Sequence, residues 1–182
     1  MKSVIGIVGS PRRGGNTDIL VDEVLKGASL KGAKIKKYFL NELNIKGCQG
    51  CFACQKDGKC VQSDDMKLIY EDLISEEAFV IGSPIYMNYV TAQTKLFLDR
   101  LLPFFKIGVG TRLDKEKKCI LVYSQGGGKN GLEIMKGLSL FLEALGIKVL
   151  DIIGGNGLNE IGAVKRYEDL LRRAFQCGQK LI

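Results

Sequence analysis

The 182-residue chain contains no histidine. That absence rules out Ser-His-Asp and Cys-His catalysis and leaves no side chain whose ordinary pKa lies near neutral for general acid–base work. No apolar run approaches the roughly 20 residues that a membrane-spanning helix requires, so no membrane span is expected. The first strand-like segment begins at once, without a cleavable leader, which makes a cytoplasmic location the expectation. No internal repeat, low-complexity tract or interdomain linker is present, and the length suits one domain, residues 1–182, able to bury roughly two-thirds of its unfolded surface. With 46% hydrophobic and 26% charged residues, the composition is that of a globular protein and not of a disordered or fibrous one.

What is present begins with charge. The chain carries 27 Lys and Arg against 20 Asp and Glu, a net charge of +7. The basic residues come in short groups interrupted by acids, as in Asp114-Lys115-Glu116-Lys117-Lys118, which reads as a solvated surface and not as a nucleic-acid site. An acidic partner stays compatible with it.

Residues 3–8 form a short, β-branched apolar run that ends in Gly9-Ser10-Pro11, the pattern of a buried strand entering a turn. Asn16 or Thr17 is then placed to cap a helix whose apolar stripe is Leu20, Val21, Val24, Leu25 and Ala28, ended by Gly32. The alternation repeats, with strands expected at 34–40, 78–82, 119–123 and 148–153. A helix is expected over 64–76, with Met66, Ile69, Tyr70, Leu73 and Ile74 on one face and Asp64 and Asp65 at its positive end. Five strands alternating with helices predict an α/β fold, a doubly wound parallel sheet covered on both faces. Residues 41–63 break the rhythm, show neither period and hold four of the six cysteines; so long a connection usually has a function.

In open α/β sheets, ligands bind outside the carboxyl ends of the strands. The turn after the first strand, Gly9-Ser10-Pro11-Arg12-Arg13-Gly14-Gly15-Asn16-Thr17, offers amides, hydroxyls and guanidinium groups beside a helix N-terminus, which suits a phosphate. Gly9-x4-Gly14 starts like a P-loop, but Gly15-Asn16 stands where Lys-Ser/Thr is needed, and Gly6-x2-Gly9 lacks the dinucleotide spacing. After the third strand, Gly82-Ser83-Pro84-Ile85-Tyr86-Met87-Asn88-Tyr89 reads as an apolar, aromatic loop against which a flat ring could lie. After the fourth, Ser124-Gln125-Gly126-Gly127-Gly128 would let backbone amides approach a ligand closely.

Cys48-x2-Cys51-x2-Cys54-x5-Cys60 puts four soft ligands within thirteen residues. This spacing suits a polynuclear centre and is comparable to a ferredoxin Cys-x2-Cys-x2-Cys run. Zinc is a rival, although structural zinc sites usually pair two Cys-x2-Cys units across a longer spacer. Disulfides are disfavoured in a reducing cytosol. The pattern could also belong to a reductase that carries no cluster. Cys119, in an apolar strand, and Cys177, in the last helix, read as buried free thiols.

Taken together, Gly9-Ser10-Pro11-Arg12, Gly15-Asn16-Thr17, the cysteine run, Asp64-Asp65-Met66 and Gly82-Ser83-Pro84-Ile85-Tyr86 through Lys95-x3-Asp99-Arg100 resemble the flavodoxin-like NAD(P)H-dependent FMN reductases. Within that group they resemble the iron–sulfur flavoproteins. The resemblance implies a flavodoxin-like fold and FMN as cofactor. It implies that Ser10, Arg12, Asn16 and Thr17 hold the FMN phosphate with Arg13 assisting, and that Pro84, Ile85, Tyr86 and Asn88 border the isoalloxazine. Ser124, Gln125, Gly126 and Gly127 would contact its other side. It further implies a [4Fe–4S] cluster on Cys48, Cys51, Cys54 and Cys60, and a homodimer or dimer of dimers. Lys95 and Asp99, four apart, are expected to pair along a helix, and Arg100 to be structural with them. Three functions stay open: an electron-transfer iron–sulfur flavoprotein with a redox partner such as ferredoxin or NAD(P)H, a cluster-free NAD(P)H-dependent FMN or quinone reductase, and a flavodoxin-like electron carrier.

Overall fold

The computed structural model describes residues 2–182. The chain runs through β1 (Ser3–Val8), α1 (Asn16–Leu30), β2 (Lys34–Phe39), α2 (Cys54–Asp57), α3 (Met66–Ser75), β3 (Ala78–Tyr86) and β4 (Tyr89–Val90). It continues through α4 (Ala92–Asp99), β5 (Phe105–Lys106), β6 (Gly110–Thr111), β7 (Lys117–Ser124), α5 (Gly131–Ala144), β8 (Ile147–Gly155) and α6 (Glu168–Gln179). Five strands pair in the order β2-β1-β3-β7-β8, and every pairing along that path is parallel. This is the flavodoxin order, in which the chain reverses direction across the sheet between β1 and β3 and opens a crevice at their carboxyl ends.

Side-chain alternation explains why both faces of the sheet are covered. Ile5, Ile7, Phe79, Ile81 and Leu121 face one way and pack with Met66 and Ile69 of α3, Phe97 of α4 and Met135 of α5. Val4, Val8, Val80, Ile120 and Val122 face the other way and pack with Val21 and Val24 of α1 and with Ala174 and Cys177 of α6. A parallel sheet so covered has strands that are apolar on both faces. The α1–α6 crossing is close enough that a Cβ on Gly178 would stand 1.9 Å from the Val24 carbonyl oxygen. No helix among the described residues is long and apolar enough to cross a membrane.

The five expected strands are all present. Helix α1 ends as expected near Gly32, where the Gly32 amide donates to Ser29 and the Ala33 amide to Ala28, with Gly32 in the left-handed region at φ 85°. Three expectations are corrected. The N-cap of α1 is Gly15, with no side-chain cap bond; Asn16 and Thr17 lie inside the helix with their side chains engaged elsewhere. Pro84, Ile85 and Tyr86 are strand, not loop, because β3 runs on past the sheet to pair with β4 as a hairpin. Residues 41–63 are not devoid of structure: a 3-10 turn at Leu40–Glu42 and the one-turn α2 lie in or at their edge.

Candidate functional site

The crevice holds a cleft of about 670 Å³, bordered by residues from the carboxyl ends of β1, β3, β7 and β8. Its floor is the β1–α1 turn. The Gly9 amide donates to the Gly82 carbonyl at 2.7 Å, fixing the turn to β3. Ser10 Oγ accepts from the Arg12 amide at 3.1 Å, and the Gly14 amide donates to Asp18 Oδ2 at 2.8 Å. The Gly15 amide already donates to the Arg12 carbonyl at 3.2 Å, but the Asn16 and Thr17 amides open α1 with no hydrogen-bonded carbonyl behind them, so they bring unused donors and the positive helix end to the cleft. Arg12 borders the cleft and forms no ion pair among the described residues.

The predicted residues of this turn do not all stand in one role. Thr17 Oγ1 lies 2.7 Å from Ser124 Oγ, joining the first and fourth loops. Asn16 is already committed: its Nδ2 donates to the carbonyls of Leu158 at 3.0 Å and Glu160 at 2.7 Å. Its Oδ1 accepts from the Val164 amide at 3.0 Å. Both side-chain donors are therefore used, and Asn16 faces the cleft as a strut. Arg13 departs from expectation more sharply. Its guanidinium forks onto Glu42 with two 2.6 Å bonds and lies 4.1 Å from the Phe39 ring centroid, outside the cleft lining.

One wall is the β3–β4 hairpin, with Pro84, Ile85, Tyr86, Met87 and Asn88 facing the cleft. Its two-residue turn needs positive φ at both positions, and Met87 (φ 47°) and Asn88 (φ 61°) supply it. The hairpin is latched to the floor, since Thr91 Oγ1 donates to the Gly9 carbonyl at 2.7 Å. The opposite wall is Ser124 to Gly128. Gln125 turns its side chain back, Oε1 accepting from the Gly131 amide and Nε2 donating to Asn130 Oδ1, while its amide donates to the Gly155 carbonyl at 3.0 Å and its carbonyl accepts from the Leu158 amide at 2.9 Å, so it borders the cleft with its hydrogen-bonding groups already engaged. A Cβ on Gly127 would meet no protein atom within 4 Å; any side chain there would occupy open space. The third wall was missed in the sequence: Leu158, Asn159 and Ile161, in the loop after β8. The rule that ligands sit at strand carboxyl ends, together with Gly154-Gly155-Asn156-Gly157, was the signal that could have found it.

A second, smaller cavity is bordered by all four loop cysteines with Tyr70, Asp99, Arg100, Leu102 and Pro103. Cys48 and Cys51 are exposed, Cys60 is half-buried and Cys54 is buried. Burial pushes the Cys54 thiol up, and the neighbouring Cys60, Cys48 and Cys51 add to this. No group of three or more His, Cys, Asp or Glu among the described residues is gathered tightly enough to hold a metal ion. The loop is closed at its base by an ion pair with no solvent access, Arg100 to Asp64 at 2.6 Å. Asp64 also accepts from the Lys46 amide at 2.9 Å and the Met66 amide at 3.2 Å. Gln55 anchors the other side, accepting from the Ile107 amide and donating to the Phe105 carbonyl. Lys95 pairs with Asp99 along α4 as expected. Cys119 and Cys177 are buried thiols, the latter 3.0 Å from Asp151 Oδ2.

A doubly wound sheet whose strand ends frame an amide-rich floor, an apolar hairpin and a glycine wall defines the flavodoxin-like class of nucleotide-binding proteins. Comparison with known proteins narrows this. Residues 2–153 match the NADPH-dependent FMN reductase family. The chain is 35% identical to an iron–sulfur flavoprotein of Archaeoglobus fulgidus over all of its length and 79% of the relative's. It is 32% identical to one of Methanocaldococcus jannaschii over 98% of the chain and 94% of the relative. Among solved structures, an NAD(P)H:quinone oxidoreductase from Methanothermobacter marburgensis superposes with a TM-score of 0.74 at 19% identity, covering 100% of this chain and 98% of that one. The chain belongs to the iron–sulfur flavoproteins of the NADPH-dependent FMN reductase family. It is a flavin-dependent oxidoreductase whose flavin is FMN.

Proposed function

We propose that the chain is an electron-transfer iron–sulfur flavoprotein, with FMN in the cleft and a [4Fe–4S] cluster on Cys48, Cys51, Cys54 and Cys60. The observation that carries the reading is the gathering of those four thiols around one cavity, in a chain whose relatives are named iron–sulfur flavoproteins. A mononuclear zinc site would need four sulfurs about 2.3 Å from one point. A cubane offers each thiolate its own iron, which suits thiols that border a cavity without converging.

The cleft fits FMN by volume and by chemistry, since small-molecule sites of about 300–1,000 Å³ combine apolar walls with a few placed polar groups. Ser10, Thr17, Arg12 and the α1 amides would hold the phosphate, and Asn16 would keep the Leu158–Ile161 wall in place. Pro84, Ile85, Tyr86 and Asn88 would border the ring on one side, with Ser124, Gln125, Gly126 and Gly127 on the other. When bound, FMN supplies two-electron and one-electron chemistry and the cluster one-electron chemistry, which together couple a hydride donor such as NAD(P)H to a one-electron partner such as ferredoxin. The protein's part is to bind, orient and tune. A homodimer or dimer of dimers and a cytoplasmic location belong to the same reading.

The family match and the quinone oxidoreductase neighbour favour a second reading, a cluster-free NAD(P)H-dependent FMN or quinone reductase. One experiment separates the two. Anaerobic purification followed by FMN, iron and acid-labile sulfide analysis should give FMN together with iron and sulfide in equal amounts. FMN without iron or sulfide, with NAD(P)H turnover intact, would establish the second reading. FMN with neither cluster nor turnover would leave a flavodoxin-like carrier.

A further inference from the structure

Besides its thiols, the cysteine cavity contains a cation. Arg100 is 1% exposed and borders the cavity, and a guanidinium has five N–H donors to place. Nη1 donates to the Lys46 carbonyl at 2.7 Å and to Asp64 Oδ2 at 2.6 Å. Nη2 donates to Asp64 Oδ1 at 3.1 Å. These bonds occupy the end of the group. Nε is buried without a partner, and Nη2 keeps one N–H on the same edge, so a two-donor fork is left over. Leaving a buried donor unpaired is costly, and more so on a charged group. Such a fork is the geometry that recognises anions.

No protein acceptor is hydrogen-bonded to Nε. Tyr70, beside Cys60 and close to the guanidinium, directs its own O–H to the Arg100 carbonyl at 2.5 Å and makes no hydrogen bond with Nε. Arg112 Nε is the other buried side-chain nitrogen without a partner among the described residues, but Arg112 does not border the cavity. Asp64 balances Arg100 only at its far end. Arg100 shares its cavity with the four cysteines, and Cys60 lies close enough to act on its charge.

We propose that the Nε edge of Arg100 donates to anionic sulfur in this cavity, either a cysteine thiolate or an inorganic sulfide, and that Arg100 thereby raises the reduction potential of the cluster. The proposal rests on the cluster reading above and deepens it. Hydrogen bonds to sulfur and nearby positive charge favour the more negative, reduced form of an iron–sulfur centre, and outer partners of this kind tune metal sites. Arg100 is thus a tuning residue, separate from the ligands.

The test uses the full chain, reconstituted anaerobically with iron and sulfide, as wild type, Arg100→Lys and the double variant Arg100→Gln/Asp64→Asn. The lysine keeps the charge and loses the fork, while the double variant removes the cation without stranding its carboxylate. Iron and FMN per chain, melting temperature and an EPR-monitored redox titration are measured for each. The expected result is wild-type iron and FMN in all three, with the cluster couple moved to more negative potential in both variants. Resonance Raman with ³⁴S-sulfide separates the two sulfur sources: altered bridging bands point to sulfide and altered terminal bands to thiolate. A full cluster at unchanged potential overturns the proposal and leaves the cluster reading standing. Lower melting temperature with proportionate loss of iron makes Arg100 a loop clamp and also overturns it. A wild-type chain that takes up no iron removes the cluster reading itself, and the proposal with it.

Discussion

In the cleft, the groups that face the ligand space sit at the ends of four sheet strands and are fixed by backbone bonds and short side-chain latches such as Thr91 to Gly9 and Thr17 to Ser124. In the cysteine cavity, the sulfurs sit on a loop that touches the body at a few points, and two of the four are exposed. The cleft is therefore preorganised, whereas the cysteine site depends on whatever it binds for its final geometry, as folding-coupled metal sites do. The largest expected effect follows. Cys60→Ala should abolish the cluster, read as loss of iron and of the reduced EPR signal, while FMN per chain stays at the wild-type value. Cys119→Ala should change neither, since that thiol is fully buried in β7 and burial pushes its pKa to about 12. If Cys60→Ala also strips FMN, the two regions are one cooperative unit and the comparison fails.

The next effect lies where the loop meets the body. Asp64→Ala strands a buried guanidinium, and breaking such a pair costs about 3–5 kcal/mol, or roughly 6–20 °C in melting temperature at this size. The Asp64 carboxyl feels burial, which would raise its pKa, but Arg100 and the Lys46 amide outweigh that and hold it below its ordinary value. A depressed pKa stabilises the fold fully above the unfolded value, near 3.9, and this contribution fades as pH falls through the folded value. Melting temperature should thus drop on acidification below about pH 4, and drop less in the Arg100→Gln/Asp64→Asn variant. Equal acid sensitivity in both would mean that other carboxylates govern it.

These two regions also differ in how far they were legible in the sequence. The sheet and its helices were readable because apolar periodicity is local, and so was the Lys95–Asp99 pair, four apart on one helix. The Arg100–Asp64 pair, 36 residues apart, was not, since nothing local marks which acid a basic residue will meet. Pro84-Ile85-Tyr86 read as loop because proline and aromatics after an apolar run look the same whether or not the strand continues. Asn16 read as a ligand because its type and position suit a phosphate turn; only the fold reveals that the loop 142 to 148 residues further on consumes its hydrogen bonds.

Within the cleft the effects are smaller and graded. Ser10→Ala and Thr17→Ala should each weaken FMN binding by about 1.5–3 kcal/mol if their hydroxyls contact the phosphate, measured by fluorescence titration of the apoprotein. Thr17→Ala should be the worse, because it also removes the link to Ser124. If neither changes affinity, the phosphate lies elsewhere in the cleft.

The smallest effect separates two adjacent arginines that the sequence cannot tell apart. Arg12 borders the cleft, so Arg12→Ala should lower FMN affinity about tenfold or more through loss of a charge-assisted contact. Arg13 forks onto Glu42 across the Phe39 ring, and this exposed pairing raises the arginine pKa and lowers that of the glutamate. Exposed pairs contribute little to stability. Arg13→Ala should leave the melting temperature unchanged and shift FMN affinity by no more than about threefold, a residual long-range charge effect that salt screens. The salt dependence is the sharper readout: the small Arg13 effect should vanish at high ionic strength, while the Arg12 effect, made at contact distance, should persist. Equal and salt-resistant losses in both variants would show that Arg13 leaves Glu42 when FMN binds and that both guanidinium groups serve the phosphate.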